Sequence, residues 1–192
     1  MNKPLYLFVG RSASGKSTVA NLLENTGKHK QIQSYTTRKP RYKDEIGHVF
    51  ITDEEFDRLE NIIAYTEYNN HRYCATKNQL DEASIYVVDI PGVETLLEKY
   101  NSDRKIVVVY FNASIRTRID RMIDRHDSDM AIISRIYNDE EFDWENALSK
   151  LVWNYKHNNG RDVVMYTVDA NKDIESVLSI VTNYINQDLE AE

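Results

Sequence analysis

Nine residues, "GRSASGKST" at positions 10–18, constrain the fold of this 192-residue chain more than any other stretch. They place Gly10, Gly15, Lys16 and Ser17 in the pattern G-x-x-x-x-G-K-[ST], directly after an apolar run and directly before a helical pattern. Glycines let such a loop wrap around a phosphate with its backbone N–H groups pointing inward, and the helix that follows adds the positive end of its dipole. The stretch therefore predicts a P-loop, which binds the phosphates of a nucleoside triphosphate.

The P-loop pattern assigns roles to individual side chains. We expect Lys16 to reach the β- and γ-phosphates and Ser17 to hold Mg²⁺. The other loop positions expected to bind the phosphates are Ser12, Ala13, Ser14 and Thr18. The segment "VVDIPG" adds Asp89 at the end of an apolar run, where a carboxylate can join the shell of Mg²⁺. A nucleoside triphosphate and Mg²⁺ are therefore the predicted ligands.

The loop alone leaves a GTPase, an ATP-driven motor and a small-molecule kinase open as interpretations. Asp89 to Gly92 also matches the D-x-x-G turn of GTPases. A GTPase needs in addition an N-K-x-D motif on a later strand to recognise guanine, and the nearest string, "NKD" at 171–173, lacks that spacing. The sequence therefore disfavours a switch GTPase.

Alternation of apolar runs with helical patterns indicates the fold class. Four runs are typical of strands buried on both faces, at 5–9, 85–90, 106–111 and 162–168. Helical patterns lie around them, at 17–25, 92–100, 115–125, 132–157 and 174–186. The order predicts an α/β protein with a P-loop NTPase-type parallel sheet flanked by helices.

The segment from about 31 to 83 breaks this alternation. It contains short β-like pieces and a helix that starts at "TDEEF", where Thr52 and Glu55 have the spacing of a capping box. We interpret the segment as a subdomain inserted into a single domain.

Composition limits the partners and the compartment. The formal net charge of −7 argues against a general electrostatic attraction to nucleic acid or to anionic lipid, both of which need a basic face. The longest apolar run, 106–111, is far shorter than the roughly 20 residues of a transmembrane helix. A single cysteine, Cys74, cannot form an internal disulfide, which fits a reducing cytoplasm. We therefore expect a cytoplasmic protein that binds neither nucleic acid nor membranes, whereas no feature fixes its oligomeric state.

Two local clusters of arginine stand out in this acidic chain. In "SYTTRKPR", Arg38 and Arg41 lie three residues apart, so that both guanidinium groups can bind one phosphate. Solvated surface arginines are the alternative interpretation. The second cluster has helical spacing and comprises Arg118, Arg121 and Arg125, with Arg135 after a predicted turn. Arginines on a closing lid can neutralise the charge of a phosphoryl group in transfer. The alternative is a helix whose arginines pair with Asp120 and Asp124.

From about Leu5 to Val177 these pieces occur in the order and spacing of the guanylate kinase family, which the chain resembles. "GRSASGKST" is similar to the family's G-P-S-G-x-G-K-S-T loop, and "SYTTRKPR" to its S-x-T-T-R-x-P-R motif. "RYCATKNQL", "VVDI" and "RMIDRHDSD...SRI" resemble its later motifs. The resemblance implies ATP-dependent phosphorylation of a nucleoside monophosphate. It also implies a core (1–30, 84–115 and 158–192), an acceptor-binding subdomain (about 31–83) and a helical lid (about 116–140).

The resemblance also implies roles for residues at matching positions. Arg38, Arg41 and Tyr73 would hold the acceptor phosphate, and Ser34 and Thr76 would touch the base. Arg121, Arg125 and Arg135 would bind the ATP and the phosphoryl group in transfer. The residues expected to act in catalysis are Lys16, Arg38, Arg125 and Arg135.

Departures from the family pattern fall on the residues that recognise the acceptor. Ala64 replaces the glutamate that binds the guanine edge, and Pro91 replaces a second acidic residue that contacts guanine. A shortened loop leaves His48 nearest to the position of a phosphate-binding tyrosine, and Glu67 is a candidate replacement carboxylate. GMP or dGMP is the expected acceptor. The alternatives are another mononucleotide, a ribose bisphosphate-type sugar phosphate, or a binding module without catalysis.

Overall fold

The computed structural model describes residues 3–40, 43–68, 70–140, 143–160 and 162–190. The strands are β1 (Leu5–Val9), β2 (Ser34–Thr36), β3 (His48–Phe50), β4 (Ile62–Tyr68), β5 (His71–Thr76), β6 (Ile85–Val87), β7 (Ile106–Asn112) and β8 (Val163–Asp169). The helices are α1 (Lys16–Asn25), α2 (Asp53–Phe56), α3 (Lys77–Glu82), α4 (Ile90–Lys99), α5 (Ile115–Asp124), α6 (Asp129–Glu140), α7 (Trp144–Asn158) and α8 (Ile174–Glu190).

A parallel sheet in the order β6-β1-β7-β8 forms the centre of the molecule. All five residues of β1 are buried, with Tyr6 and Phe8 packed on one face of the sheet and Leu5, Leu7 and Val9 on the other. Helices α1 and α8 cover the first face, whereas α4 and α7 cover the second. The predicted α/β class with a parallel sheet flanked by helices is therefore confirmed.

Two predicted element boundaries are wrong. The strand predicted at 85–90 ends at Val87, because Asp89 is the N-cap of α4 and accepts a hydrogen bond from the N–H of Gly92. The single helix predicted at 132–157 is two helices, α6 and α7. Asp143 caps the second helix by accepting from the N–H of Asn146, and a capping carboxylate interrupts a helix whose apolar spacing continues across the break.

A second sheet, in the order β3-β2-β5-β4, is built from the segment predicted as an inserted subdomain. Its β4–β5 register shifts between Ile63 and Thr66, which marks a β-bulge. The predicted capping box is confirmed at the start of α2, where Thr52 and Glu55 exchange side chain to backbone hydrogen bonds.

None of the helices in the described ranges combines the length and the apolar character that a crossing of the bilayer requires.

Candidate active site

The loop between β1 and α1 has the conformation that the P-loop pattern requires. Gly10, Ala13 and Gly15 have positive φ angles of 152°, 60° and 98°. A Cβ atom on Gly10 would lie 2.6 Å from the carbonyl oxygen of Phe111, so that a side chain does not fit at this position. The close approach of the loop to β7 therefore requires glycine.

Lys16 folds back over this loop. Its Nζ donates to the carbonyl oxygens of Gly10 at 2.6 Å and Arg11 at 2.8 Å, and to Ser14 Oγ at 3.3 Å. Burial lowers the pKa of Lys16 to about 8, and the negative charge of Asp139 opposes that shift. Lys16 is therefore still mostly protonated at neutral pH and loses its charge as the pH rises through about 8, and an anion beside the ammonium would raise its pKa again.

The two residues expected to hold Mg²⁺ differ in exposure. Ser17 and Thr18 lie in the first turn of α1 with exposed side chains. Asp89 is partly buried, and its carboxylate accepts hydrogen bonds from Gly92 N–H and Thr66 Oγ1, each at 2.9 Å. Burial raises the pKa of Asp89, and the two hydrogen bonds oppose that shift.

The described part of the chain contains no group of three or more acidic, histidine or cysteine side chains that could hold a metal ion. Mg²⁺ that accompanies a nucleotide usually takes one or two protein ligands and completes its shell with phosphates and water. The hydroxyl of Ser17 and the carboxylate of Asp89 are oxygen ligands of the kind that Mg²⁺ prefers, so the residues present fit a cation that arrives with a triphosphate.

The arginines of α5 and α6 point in different directions. Arg121 lies over the P-loop, where its guanidinium donates to the carbonyl oxygens of Ala13 and Ala170 at 3.4 and 2.8 Å. Arg125 and Arg135 instead share Asp127 Oδ2. Of the predicted set, Arg121 is therefore in contact with the phosphate loop, and the other two are joined through one carboxylate.

Arg118 has a structural position that the helical spacing did not indicate. It is fully buried and pairs with Asp139 at 2.9 Å and Glu140 at 2.5 Å, not with Asp120 or Asp124. Asp139 Oδ2 also accepts the N–H of Ser12 at 2.7 Å. The end of α6 is thereby attached to the P-loop, an arrangement that sequence reasoning missed because no motif in "RIYNDEEF" marks a buried aspartate.

The residues expected to bind the acceptor lie on the second sheet and its connections. Arg38 donates with both terminal nitrogens to Glu45, at 2.8 and 3.1 Å, and its guanidinium lies over the ring of Phe50. His48 and Tyr73 have ring centroids 5.8 Å apart. Arg41, the second arginine of the predicted phosphate clamp, lies outside the described residues.

Ser34 and Thr76, expected to touch the base, are placed differently. Ser34 is buried beside the cavity described below and donates to the hydroxyl of Tyr86 at 3.4 Å. Thr76 is the N-cap of α3 and forms a capping box with Gln79. The hydroxyl of Thr76 is therefore used within the subdomain.

One cavity of about 570 Å³ joins the P-loop to the second sheet. Seven of its lining residues were singled out from the sequence as site residues: Gly10, Ser12, Lys16, Ser34, His48, Tyr73 and Asp89. The others that matter here were not assigned to the site: Thr66, Tyr68, Tyr86, Glu94, Asn138, Asp139 and Trp144. Their side chains meet only through tertiary packing, so no spacing along the chain could have grouped them.

Of the departures from the family pattern, Pro91 and Glu67 line this cavity, whereas Ala64 does not. Ala64 is fully buried at the β-bulge with a φ angle of 54°, whereas Pro91 lines the cavity from the first turn of α4. Glu67, the candidate replacement carboxylate, lines the cavity and accepts a hydrogen bond from the hydroxyl of Tyr65.

Comparisons with known proteins point to one family. No protein-family model matches this chain. A guanylate kinase of Fusobacterium nucleatum is 26% identical over 165 residues, which cover 78% of this chain and 87% of the relative. A guanylate kinase of Cutibacterium acnes is 33% identical over 106 residues, 47% of this chain and 52% of the relative. The crystal structure of guanylate kinase from Anaplasma phagocytophilum has the same fold, with a TM-score of 0.52, 20% identity and 97% of this chain covered against 87% of that chain.

Proposed function

The chain belongs to the guanylate kinase family and is a nucleoside monophosphate kinase, and from that premise we propose that it transfers the γ-phosphoryl group of ATP to GMP or dGMP. The relatives support phosphorylation of a mononucleotide. The relatives do not settle which base the acceptor carries, because two of the family's base-recognising positions hold Ala64 and Pro91 in this chain. The choice of guanine is therefore our proposal.

The continuous cavity is the observation that carries the proposal. It is lined by Gly10, Ser12 and Lys16 of the P-loop and by Ser34, His48 and Tyr73 of the second sheet. Phosphoryl transfer requires that donor and acceptor be held in line within one site. A cavity that connects a triphosphate loop to a second sheet with its own arginine supports a reaction between two bound nucleotides.

The shape of the lining favours a nucleotide over a sugar phosphate as the acceptor. Tyr68, Tyr86 and Trp144 contribute aromatic surface to the cavity. Binding pockets for bases combine apolar and aromatic walls with a few polar groups that fix the orientation. A ribose bisphosphate-type acceptor has no base that could pack against that aromatic surface.

Charge neutralisation and alignment account for the chemistry that we propose. The acceptor phosphate is already an anionic nucleophile at neutral pH, so no general base is needed. Lys16 and Arg121 bind the phosphates of ATP, and Arg125 and Arg135 reach the transferring group by leaving Asp127. Arg38 exchanges Glu45 for the acceptor phosphate, because both are bidentate anionic partners. When Mg²⁺ is bound, Ser17 and Asp89 would hold it, and the cation neutralises charge on the triphosphate.

A panel of acceptors tests the proposal. ADP release is measured with ATP, Mg²⁺ and each of GMP, dGMP, AMP, CMP, UMP and dTMP. We expect the highest kcat/KM for GMP or dGMP, and no turnover by a Lys16→Ala variant that remains folded by circular dichroism. A preference for another base would contradict the assignment of GMP, and no turnover with any mononucleotide would contradict the kinase proposal.

A further inference from the structure

We propose that Glu94 is the residue that recognises the base of the acceptor, and that it selects a base with N–H donors on its hydrogen-bonding edge. The inference rests on the proposed mononucleotide kinase activity and names a specificity-determining residue for it. Glu94 lies on α4, at a position where the family pattern assigned no contact.

The carboxylates around the cavity differ in whether their oxygens are already in use. Four line it: Glu67, Asp89, Glu94 and Asp139. Asp89 accepts from Thr66 and Gly92, Asp139 accepts from Ser12 and Arg118, and Glu67 accepts from Tyr65. Within the described residues, Glu94 takes part in no hydrogen bond or ion pair. Both of its oxygens are therefore available to a ligand.

The helix α4 directs Glu94 to the cavity. Glu94 follows Pro91 by three residues, so that both lie on the same face of the helix, and both line the cavity. The opposite face is packed in the core through Val93, Leu96 and Leu97. Pro91 stands where the family pattern has an acidic residue. Glu94 places a carboxylate on the same face of α4, one turn further along the helix.

The burial of Ala64 against α4 explains why position 64 cannot do the same. Ala64 is fully buried, has a φ angle of 54° and lies beneath α4, where its carbonyl oxygen is 3.7 Å from the position that a Cβ on Gly92 would occupy. A glutamate there would have to displace core packing, because the alanine side chain is already fully buried. In this chain the carboxylate that recognises the base is therefore that of Glu94, and Glu67 on β4 can accept a further hydrogen bond from the base.

An ionised carboxylate accepts hydrogen bonds and cannot donate them. Guanine presents two adjacent N–H donors, from its ring N1 and its 2-amino group, which match the two oxygens of Glu94. Hypoxanthine keeps the N1 donor and lacks the amino group. Uracil and thymine present carbonyl oxygens on both sides of a single N–H, and these oxygens would face the negative charge of the cavity. The site is therefore suited to guanine.

The test compares two conservative variants of neighbouring glutamates on α4. Glu94→Gln keeps the size of the side chain but replaces one acceptor by an NH₂ donor, which faces a donor of guanine. Glu98→Gln makes the same change on an exposed residue one turn further along the helix, outside the cavity. For wild type and both variants, kcat and KM are measured with GMP, IMP and UMP at saturating ATP, and the KM for ATP is measured at saturating GMP. The binding of GMP is measured by calorimetry.

We expect Glu94→Gln to raise the KM for GMP by about tenfold or more with a small change in kcat, because a lost pair of base contacts acts on acceptor binding. The preference for GMP over IMP should fall, the KM for ATP should stay the same, and Glu98→Gln should behave as the wild type does. A loss of folded protein would lower the apparent kcat and leave both KM values unchanged, which separates it from the expected pattern.

Three outcomes would overturn the inference in distinguishable ways. If the wild type phosphorylates GMP and Glu94→Gln keeps the same KM and the same preference over IMP, Glu94 does not recognise the base, and the kinase assignment stands. If the wild type neither binds nor phosphorylates any mononucleotide, the proposed function fails, and the inference fails with it. A wild-type preference for UMP would also overturn the inference without affecting the kinase assignment.

Discussion

Lys16 is held by oxygen atoms of its own loop, in surroundings that disfavour its charge. The carbonyl oxygens of Gly10 and Arg11 accept its hydrogen bonds, and burial lowers the pKa of Lys16 to about 8. The group is half protonated near pH 8, so the free protein does not hold a fully formed cation there. A phosphate beside it favours the charged form and raises the pKa again.

We predict that ATP binding at pH 8 takes up about half a proton per molecule, because the pKa of Lys16 rises towards its ordinary value when phosphates approach. The uptake should vanish at pH 6.5, where Lys16 is protonated in both states. Calorimetric titrations in HEPES and in Tris, whose ionisation enthalpies differ, measure it. Lys16→Arg is the control, since guanidinium does not titrate in this range. Equal heats in both buffers for the wild type at pH 8 would contradict the prediction.

At the scale of elements, the α5–α6 pair is attached to the P-loop by a buried ion-pair network. Arg118 of α5 reaches Asp139 and Glu140 at the end of α6, and Asp139 binds the N–H of Ser12. Removing one member of a buried pair leaves its partner's charge without compensation, which costs more than the pair contributes. The network therefore makes α6 sensitive to a change in α5.

We predict that Arg118→Ala lowers the free energy of unfolding by about 3 kcal/mol, because it leaves the buried carboxylate of Asp139 without its cation. Arg116→Ala on the same helix should change it by less than about 0.5 kcal/mol, since Arg116 has a side chain that is 92% exposed. Urea unfolding followed by circular dichroism measures both. Similar losses in the two variants would show that the buried network does not stabilise α6.

At the scale of the whole molecule, two sheets share one cavity. The parallel sheet supplies the P-loop, and the second sheet supplies the proposed acceptor site. A ligand that fills this cavity contacts residues of the folded protein that lie far apart in the unfolded chain. Nucleotides should therefore stabilise the whole fold by mass action.

We predict that ATP with Mg²⁺ at 100 times its Kd adds about 2.7 kcal/mol to the free energy of unfolding, which corresponds to a rise in Tm of about 5 to 10 °C. Differential scanning fluorimetry measures the rise. Lys16→Ala should lose most of it, whereas the stabilisation by GMP should persist in that variant. A wild-type Tm that ATP leaves unchanged would favour a binding module over a kinase.

Local sequence was sufficient for the P-loop and for most of the parallel sheet. The conformation of the loop depends on residues that are close together in the chain, and the G-x-x-x-x-G-K-[ST] spacing shows them directly. The two central strands are buried on both faces, and the continuous apolar runs at 5–9 and 106–111 indicate that burial. The helix predicted at 132–157 was wrong because the apolar spacing does not reveal the cap at Asp143. The partners of Arg118 could not be predicted either, since Asp139 and Glu140 are more than 20 residues away.

The sequence by itself determined that this chain has a phosphate-binding loop at the end of a buried strand, because glycines, lysine and hydroxyls at fixed spacing act through the local backbone. Only the tertiary structure decided which side chains line the cavity in which we propose that the base binds. Glu67, Glu94 and Trp144 come from β4, α4 and α7. Packing of the two sheets brings them to one cavity, where Glu94 has no hydrogen-bond partner among the residues that the structure describes.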